Sequence, residues 1–348
     1  MKTASLKRHF SFTILLLTFI LILANCQLRR QNVTPQPTTF TTPTVTLSPT
    51  LTPLASPLGS DENPLVLGNI TENSETANSL ALQELIEKLS ISTGYTIASK
   101  EFTSPGELLN EMEAGFVHAA WLMPLPYIWA NQNGFAQAML LINHFGVYEY
   151  GTQFLASTDS GFISYYDPLA NQNLADASTA LSQFAGQRPC WVSPDSPSGY
   201  VVPSGLLAEN GITVQPGAFI RDHAAVVRAL YVRGICDFGT TFAISGDPRT
   251  SPALQDLPDV MNRIVVIWQS DAIIPNMNFS TLPELPEEMH QKLDTALADL
   301  ASNSEGQQLL TEALNYDVQE VKRIDDGTYE PLKRLIEAAQ INLETLFQ

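Results

Sequence analysis

Residues 190–200 read Cys-Trp-Val-Ser-Pro-Asp-Ser-Pro-Ser-Gly-Tyr, and this stretch decides the fold that we predict for the chain. Its apolar start, residues 190–193, is typical of a buried strand, and the pattern after Tyr200 is typical of a helix that continues to about Glu209. The first amides of a helix have no intrahelical acceptor, and the helix dipole is positive there. Ser196 and Ser198 at this helix start therefore predict a site for a phosphate-, sulfate- or carboxylate-like anion. The structural alternative is that a serine before a helix serves only as an N-cap.

Two further candidate residues lie downstream of this stretch. Asp222 and His223 begin a predicted helix, where Asp222 can cap the helix and His223 can donate a hydrogen bond to a ligand. Asp237 lies in the next predicted strand, where it either holds a turn between strands or faces a ligand. For His223 and Asp237 a purely structural role stays open.

The body of the chain, from about Pro64 onward, alternates short apolar runs with amphipathic helical patterns, which is typical of α/β organisation. Its first ninety residues predict the order β-α-β-α-β-α, and a second unit of the same kind follows a crossing segment near residues 150–165. Strands are predicted at 65–69, 95–98, 117–122, 190–193, 235–239 and 263–268. Helices are predicted at 82–94, 104–115, 124–133, 200–209, 222–233, 285–302, 305–314 and 329–347.

This order of elements predicts two α/β lobes, each a mixed sheet flanked by helices, with the second lobe inserted into the first. Residues 64–155 form the first part of lobe 1, residues 156–265 form lobe 2, and residues 266–348 return to lobe 1 and end in helices. The strand Arg263–Trp268 is predicted to bring the chain back to the first lobe. A small ligand is expected in the cleft between the lobes.

The N-terminus predicts export from the cytoplasm. Three basic residues among the first eight precede an uncharged apolar run, Phe10–Ala24, that has the length of a signal sequence and is short for a membrane span. The run ends in Leu-Ala-Asn-Cys, which resembles the bacterial lipobox, so we predict a lipoprotein signal peptide over residues 1–26 and lipidation of Cys26. An uncleaved N-terminal anchor is the alternative. In both cases the rest of the chain is extracytoplasmic.

A tether is predicted to follow the signal peptide. Residues 31–60 hold six prolines among many threonines and serines. Such a segment buries too little apolar surface to offset the entropy lost on ordering. We therefore predict a disordered tether over residues 27–63.

The charge of the chain restricts its partners. The 348 residues include 18 basic and 36 acidic residues, a formal net charge of −18. Residues 1–26 carry three basic and no acidic groups, so their removal leaves 15 basic against 36 acidic residues, a net charge of −21. This excess excludes nucleic-acid binding, which needs a basic face. An anionic ligand would need local hydrogen-bond donors, because the overall field repels it.

Cysteine and histidine usage indicates no metal site and no cofactor. Beyond Cys26 the chain contains Cys190 and Cys236, which either pair in an oxidising compartment or remain two buried thiols. The five histidines are scattered, and none has metal-ligand spacing with another histidine or with a cysteine.

Taken in order, these segments resemble the phosphate/phosphite/phosphonate-binding proteins of ABC transporters. That family has a Ser-x-Ser-Gly-[Tyr/Phe] helix start, a helix that opens with His, and a strand with Gly-x-x-Asp. Here these elements correspond to residues 196–200, His223 and residues 234–237. Three further stretches carry the resemblance, which spans about residues 64–345: residues 120–127, residues 267–276 with a Trp-x-Ser-x-x-Ile-Pro-like pattern, and residues 325–329.

The resemblance implies a type II periplasmic-binding-protein fold whose two lobes close around the ligand. It implies that Ser196, the Pro197 backbone and Ser198 surround the oxygens of a small oxyanion, with His223 and Tyr127 contributing. Asp237 is a further candidate for a ligand-binding residue. The implied protein is a monomeric, lipid-anchored binding protein, not an enzyme, and its partner is an ABC transporter permease.

Four residues depart from the family pattern. His118 and Met123 stand where an Asp and a Gly are common, and Pro105 stands where a ligand-facing Tyr often lies. Ile244 occupies the place of an acidic residue that can hold a ligand ammonium group. These departures favour an alkyl phosphonate, phosphite or phosphate over an aminoalkyl phosphonate.

Two other functions remain as alternatives. Ser198, His223 and Asp237 could form a hydrolase triad, although the chain has no G-x-S-x-G nucleophile elbow at Ser198. The chain could also be a ligand-sensing module that signals to a membrane partner encoded separately.

Overall fold

The computed structural model of the protein describes residues 56–71 and 76–347, which form two six-stranded sheets and a two-stranded ribbon. In chain order the strands are β1 (Leu65–Ile70), β2 (Ile97–Phe102), β3 (Ala119–Leu122), β4 (Gln137–Asn143), β5 (Glu149–Ser157), β6 (Tyr166–Asp167), β7 (Gln172–Asn173), β8 (Pro189–Trp191), β9 (Ala218–Phe219), β10 (Phe238–Ala243), β11 (Ile264–Gln269), β12 (Ile274–Pro275), β13 (Asn278–Thr281) and β14 (Glu320–Arg323). The helices are α1 (Thr76–Thr93), α2 (Pro105–Glu113), α3 (Pro124–Gln132), α4 (Ala177–Leu181), α5 (Val202–Glu209), α6 (His223–Val232), α7 (Val260–Arg263), α8 (Glu287–Ala301), α9 (Ser304–Leu314), α10 (Glu330–Ala338) and α11 (Glu344–Phe347).

Both sheets are mixed. The first has the strand order β14-β4-β13-β3-β1-β2, in which β1 is parallel to β2 and β3 whereas β13 is antiparallel to β3. The second has the order β11-β5-β10-β8-β9 with β12 on β5, and here β8 is parallel to β10 whereas β5 is antiparallel to it. We call each sheet with its covering helices a lobe. The two mixed sheets with flanking helices confirm the predicted two-lobe α/β fold class.

Some of the helices begin at a side chain that caps one of their first amides. Ser104 caps α2 by accepting the Glu107 N–H at 3.3 Å, and Pro105 occupies the first helical position, as the capping-box pattern predicts. Asp222 caps α6 by accepting the Ala225 N–H at 2.8 Å. Each such cap contributes about 0.5–2 kcal/mol to stability.

A layer of helices covers one face of the first sheet. Leucines on α1, α8 and α9 are fully buried against each other and against that sheet, and they include Leu85, Leu89, Leu293, Leu297 and Leu310. Each buried leucine contributes roughly 1.5–3 kcal/mol. The apolar periodicity of these segments therefore forms the core of the first lobe.

The chain crosses between the sheets at different places from those predicted. β5 was expected as a crossing segment, but it lies between β10 and β11 and is buried from Gly151 onward. The predicted return of Arg263–Trp268 to the first lobe is also wrong, because β11 pairs antiparallel with β5. The connections between the sheets lie at residues 144–148 and 276–277 instead of near 155/156 and 265/266.

The predicted final helix, residues 329–347, is two helices. α10 ends at Ala338, and Gln340 adopts a left-handed conformation (φ 54°) that an α-helix does not allow. α10 packs on α5 of the second lobe so closely that a Cβ at Gly205 would lie 2.4 Å from the Leu335 carbonyl oxygen. α10 also contacts the first lobe, where Lys333 donates to Asn131 at 3.2 Å, so it lies against both lobes and not against the first alone as predicted.

The folded body begins before the predicted boundary at Pro64. Ser60 and Asn63 form an antiparallel bridge, and Gly59 packs on the ring of Tyr95. The predicted tether over 27–63 is therefore too long at its C-terminal end. The predicted signal peptide and Cys26 lie outside the described residues.

One strand of the second sheet begins later than predicted. β10 begins at Phe238 and not at Ile235, because Arg233 and Gly234 both adopt positive φ (69° and 86°) and turn the chain there.

In the described part of the chain, no helix has the length and apolarity needed to cross a membrane.

Candidate ligand-binding site

A cavity of about 660 Å³ lies between the two lobes. The second lobe contributes Ser198, His223 and Phe242, and the first contributes Met123 and Tyr316. His144 and Asn276 lie in the connections between the sheets, and Tyr150 follows the first of these connections. The remaining lining residues are Phe145, Ser245, Gly246, Asp247, Pro248, Thr250, Ser251 and Pro252.

Ser198 is held at the start of a helix by contacts from two strands. Thr152 on β5 donates a hydrogen bond to the Ser198 carbonyl oxygen at 2.6 Å. Thr240 on β10 donates to the next carbonyl oxygen, that of Gly199, at 2.8 Å. Both threonine side chains are fully buried, so the two strands hold the backbone of this turn in place. Ser198 lines the cavity.

The first turn of this helix is wider than an α-helical turn. Residues 197–201 form a π-helical turn that continues into α5, and the Val201 N–H donates to the Ser196 carbonyl oxygen five residues earlier. The Ser196 hydroxyl accepts the Gly199 N–H at 3.1 Å. The Ser198 N–H has no acceptor among the described residues, which is the expected state of a first-turn amide. Such π-turns occur frequently at functional sites.

His223 presents a neutral imidazole to the cavity. Burial lowers the pKa of His223 to about 4, and the nearby Asp222 carboxylate opposes this shift only in part. The ring packs edge-on against Phe242, with centroids 4.9 Å apart. Its Nδ1 atom is buried and has no hydrogen-bond partner among the described residues. At neutral pH His223 therefore offers one N–H donor and no charge.

Two tyrosine hydroxyls complete the polar part of the site. Burial raises the pKa of Tyr150, and a hydrogen bond with the Ser198 side chain opposes this shift. Burial also raises the pKa of Tyr316, whose hydroxyl donates to Asn276 Oδ1 at 3.3 Å. Both hydroxyls stay protonated at neutral pH and can donate. The described lining residues include no Lys or Arg, so the site consists of neutral donors.

The carboxylate that lines the cavity, Asp247, is already paired. Its two oxygens accept hydrogen bonds from the Arg249 guanidinium, the shortest at 2.7 Å, and from the Arg249 backbone N–H. Arg249 also donates to the Ile264 carbonyl oxygen. Asp247 therefore shapes the wall of the cavity without presenting an unpaired negative charge.

The structure brings only part of the predicted site together. Ser198 and His223 both line the cavity, whereas Ser196 acts as an N-cap and Pro197 lies in the π-helical turn; neither lines it. Tyr127 does not line the cavity either: it is fully buried in the first lobe, and its hydroxyl donates to the Asp326 carboxylate. Burial, with a further contribution from Asp326, raises the pKa of Tyr127.

Asp237 is also separate from the cavity. Its carboxylate accepts the Arg188 N–H at 2.8 Å, and it directly precedes β10. Phe242, which lines the cavity, lies five residues further along this strand, about 16 Å away at a rise of ~3.3 Å per residue. Asp237 thus joins the starts of β10 and β8, because its backbone N–H also donates to the Arg188 carbonyl oxygen at 2.8 Å. This role is structural, which is one of the two that the sequence left open, but it holds two strands together and not a turn.

This geometry does not assemble the hydrolase triad. A triad needs a carboxylate on the histidine Nδ1 to orient the imidazole. His223 Nδ1 has no such partner in the described part of the chain, and Asp237 lies beyond its reach.

Several lining residues are not among the candidates that the sequence predicts. Tyr150 lies in β5, where the sequence predicts a crossing segment, and Tyr316 follows α9 without a local motif. Asn276 had a signal, since it ends the Trp-x-Ser-x-x-Ile-Pro-like stretch. Pro105 and Met123, two of the departures from the family pattern, line an adjoining cavity of about 320 Å³ in the first lobe.

A disulfide lies in the strand that leads to Ser198. Cys190 on β8 is bonded to Cys236, with their Cα atoms 5.6 Å apart. The bond links the strand that leads to Ser198 with the turn before β10. It therefore fixes the base of the helix start.

Two α/β lobes around a shared cavity define a two-lobe substrate-binding protein of the periplasmic class. The chain belongs to the family described as ABC transporter, phosphonate, periplasmic substrate-binding protein, whose model matches residues 67–329. The family is one of binding proteins, which agrees with the prediction that the chain is not an enzyme.

The sequence identity to an individual related protein is low. The phosphate-import protein PhnD of Mycolicibacterium smegmatis is 26% identical over 233 residues, which are 63% of this chain and 66% of that protein. The chain thus spans just under two thirds of the curated relative that it matches.

Solved structures share the fold. A Xanthomonas citri protein bound to chloride ion has a TM-score of 0.61 at 17% identity, covering 81% of this chain and 99% of that chain. A binding protein component of an ABC phosphonate transporter from Pseudomonas aeruginosa has a TM-score of 0.51 at 18% identity, covering 82% and 88%. These likenesses support the predicted type II periplasmic-binding-protein fold.

Proposed function

We propose that this chain is the extracytoplasmic solute-binding component of an ABC importer and that it captures a phosphonate, phosphite or related small oxyanion in the cavity between its lobes. The observation that carries the proposal is the convergence of Ser198, His223 and Tyr150 on this cavity. Membership of the phosphonate substrate-binding family agrees with it.

Neutral donors suit the capture of an anion at this site. The Ser198 N–H and hydroxyl lie at a helix start, where the dipole favours negative charge. Each hydrogen bond to a charged group contributes roughly 1.5–3 kcal/mol. A buried Lys or Arg would add attraction but would first have to be desolvated, which costs several kcal/mol. Hydrogen bonds from neutral groups therefore offset the repulsion from the acidic body without that cost.

The same site disfavours a ligand ammonium group. Asp247 is occupied by Arg249, and Ile244 stands where the family has an acid. Aminoethylphosphonate should therefore not outcompete methylphosphonate. A clear preference for the amino compound would show that another carboxylate, such as Asp271, binds the ammonium.

The cellular context of the proposal rests on the N-terminus. Residues 1–26 act as a lipoprotein signal peptide, Cys26 carries the lipid, and the segment that follows tethers the binding body to the membrane. The partner is the permease of the importer, to which the protein delivers its ligand as a monomer.

Calorimetry with purified protein tests the proposal. Phosphate, phosphite, methylphosphonate and aminoethylphosphonate are titrated separately, and native mass spectrometry identifies any anion that co-purifies. We expect saturable binding of at least one of them with a rise in melting temperature. Absence of both binding heat and melting shift for the whole panel would overturn the oxyanion proposal.

A further inference from the structure

A tight turn in the first connection between the sheets carries an unusual residue. His144 and Val147 form an antiparallel bridge, and the two residues between them, Phe145 and Gly146, both have positive φ (49° and 86°). Two-residue turns of this kind prefer Asn-Gly or Asp-Gly, because a side chain with a Cβ is strained at positive φ. A bulky aromatic residue in this conformation is an outlier.

Contacts from outside the turn hold it in place. The Phe145 N–H donates to Asp317 Oδ2 at 3.0 Å, and a ring nitrogen of His144 pairs with the Asp317 carbonyl oxygen at 2.9 Å. The His144 ring also stacks on Tyr316, with centroids 3.8 Å apart. The strained turn is therefore maintained by its surroundings, which is a common property of functional sites.

The Phe145 side chain does not serve the core. It is 61% exposed, yet it lines the cavity between the lobes. Its ring contacts the His144 ring, with centroids 4.2 Å apart, and the rest of its surface is available to a ligand in the cavity.

The cavity is lined by both polar and apolar side chains. Ser198 and His223 of the second lobe supply polar groups, and Phe242 packs on the His223 ring. Met123 and Phe145, which lie outside the second lobe, supply an apolar wall. One tetrahedral oxyanion fills only a small part of about 660 Å³. Closure of the lobes would reduce this volume but would leave the chemistry of the walls unchanged.

We propose that Phe145 determines specificity for the ligand's substituent and that the ligand is an organic phosphonate with a large, uncharged alkyl or aryl group. This inference rests on the proposed function, because the phosphonate group binds at Ser198 and His223. The substituent lies along Phe145 and Met123. Inorganic phosphate leaves this wall in contact with water.

Titration calorimetry with phosphate, methylphosphonate and phenylphosphonate tests the inference on three proteins. These are the wild type, Phe145→Asn and the control Phe116→Asn, which replaces a phenylalanine that is 65% exposed outside the cavity. Phenylphosphonate should bind to the wild type most tightly. Phe145→Asn should weaken phenylphosphonate roughly tenfold, as expected for loss of one aromatic contact, and should change phosphate less than twofold.

Thermal melting separates specificity from folding. Asparagine suits a two-residue turn with positive φ, so Phe145→Asn should melt at the wild-type temperature or above it, and Phe116→Asn should leave all three affinities unchanged. The inference is overturned if phenylphosphonate binds no more tightly than methylphosphonate, or if Phe145→Asn weakens all three ligands equally or none. If no oxyanion binds to the wild type, the proposed function itself fails.

Discussion

Asn276 donates a hydrogen bond from Nδ2 to the carbonyl oxygen of Val147 at 2.8 Å. The two residues belong to the two connections between the sheets, residues 276–277 and 144–148. This bond and the one from the Asn276 backbone N–H to the Tyr148 carbonyl oxygen, at 3.0 Å, join both connections. Tyr316 donates to the other side-chain atom, Asn276 Oδ1. The side chain of Asn276 is almost completely buried, and its amide is therefore paired on both sides.

Replacement of Asn276 should affect both stability and ligand binding. Asn276→Ala leaves the Val147 carbonyl and the Tyr316 hydroxyl without this partner, which should lower the free energy of unfolding by about 1–3 kcal/mol. Urea denaturation measures this loss, and stopped-flow binding measures the ligand rates. The control is Asn210→Ala, which removes a hydrogen bond to Leu206 within one lobe. Equal effects of the two variants on ligand rates would contradict a role for Asn276 between the lobes.

Alanine substitutions of Ser198 and Ser196 should have different effects on ligand affinity and on stability. Ser198→Ala removes a ligand donor and should weaken anion binding by about tenfold to a hundredfold, since one hydrogen bond to a charged group is lost. Ser196→Ala removes the N-cap and should mainly lower stability, by about 1 kcal/mol. Calorimetry and thermal melting on both variants check this. Ser193→Ala, in the same loop but outside the cavity lining, is the control. A Ser198→Ala protein with reduced melting temperature and unchanged affinity would assign Ser198 a capping role only.

His223 should make the protein less stable in mild acid. Its pKa is about 4 in the folded state, below the ordinary value of 6.5, so between these values the unfolded chain binds more protons than the folded one. The unfolding free energy therefore falls as pH decreases through this window, by up to about 3 kcal/mol. Burial also lowers the pKa of His118 and His290, which contribute in the same direction. Urea denaturation from pH 7 to pH 4 should show a shallower decline for His223→Asn than for the wild type, and parallel profiles would contradict the assignment.

The disulfide should be present in exported protein and should stabilise the second lobe. Cys190 and Cys236 are 46 residues apart, and a crosslink over such a loop removes about 4 kcal/mol of unfolded-state entropy in the chain-entropy model. We expect thiol counting by intact mass, under denaturing and non-reducing conditions, to detect neither cysteine as a free thiol. Reduction should lower the urea midpoint. Two free thiols in protein exported by its native host would rule the bond out.

Lipidation of Cys26 is a separate prediction. Cys26→Ser should abolish metabolic palmitate labelling and release the protein from the membrane fraction, because one thioether-linked lipid is the proposed anchor. Ligand affinity of the purified body should not change. Labelling that persists in the variant would contradict the lipobox interpretation.

Local patterns predicted the parts of the molecule that depend on neighbouring residues. The strand-to-helix passage at residues 190–200, the Asp222 cap and the position of His223 are each determined within a few residues. Contacts between residues that are far apart in the sequence were not predictable from local patterns. The Tyr127 hydroxyl donates a hydrogen bond to the Asp326 carboxylate, which is 199 residues away, and no pattern near Tyr127 predicts this contact. The sequence predicts a crossing near Tyr150 because β5 is a buried strand that holds polar residues, among them Thr152 and Gln153, and therefore lacks the apolar run typical of a central strand.

The close packing of α10 on α5 offers an optical way to observe ligand capture. α10 contacts both lobes, because Leu335 lies against Gly205 of the second lobe and Lys333 donates to Asn131 of the first lobe at 3.2 Å. Phe347 on α11 lies against Gly106 of the first lobe, where a Cβ would be 2.2 Å from the Phe347 carbonyl oxygen. A relative movement of the lobes must therefore change the contacts of α10 with one lobe or the conformation of the link over residues 339–343. An environment-sensitive fluorophore attached to Gln340→Cys, at an exposed position in this link, would convert lobe movement into a change of emission without altering the cavity.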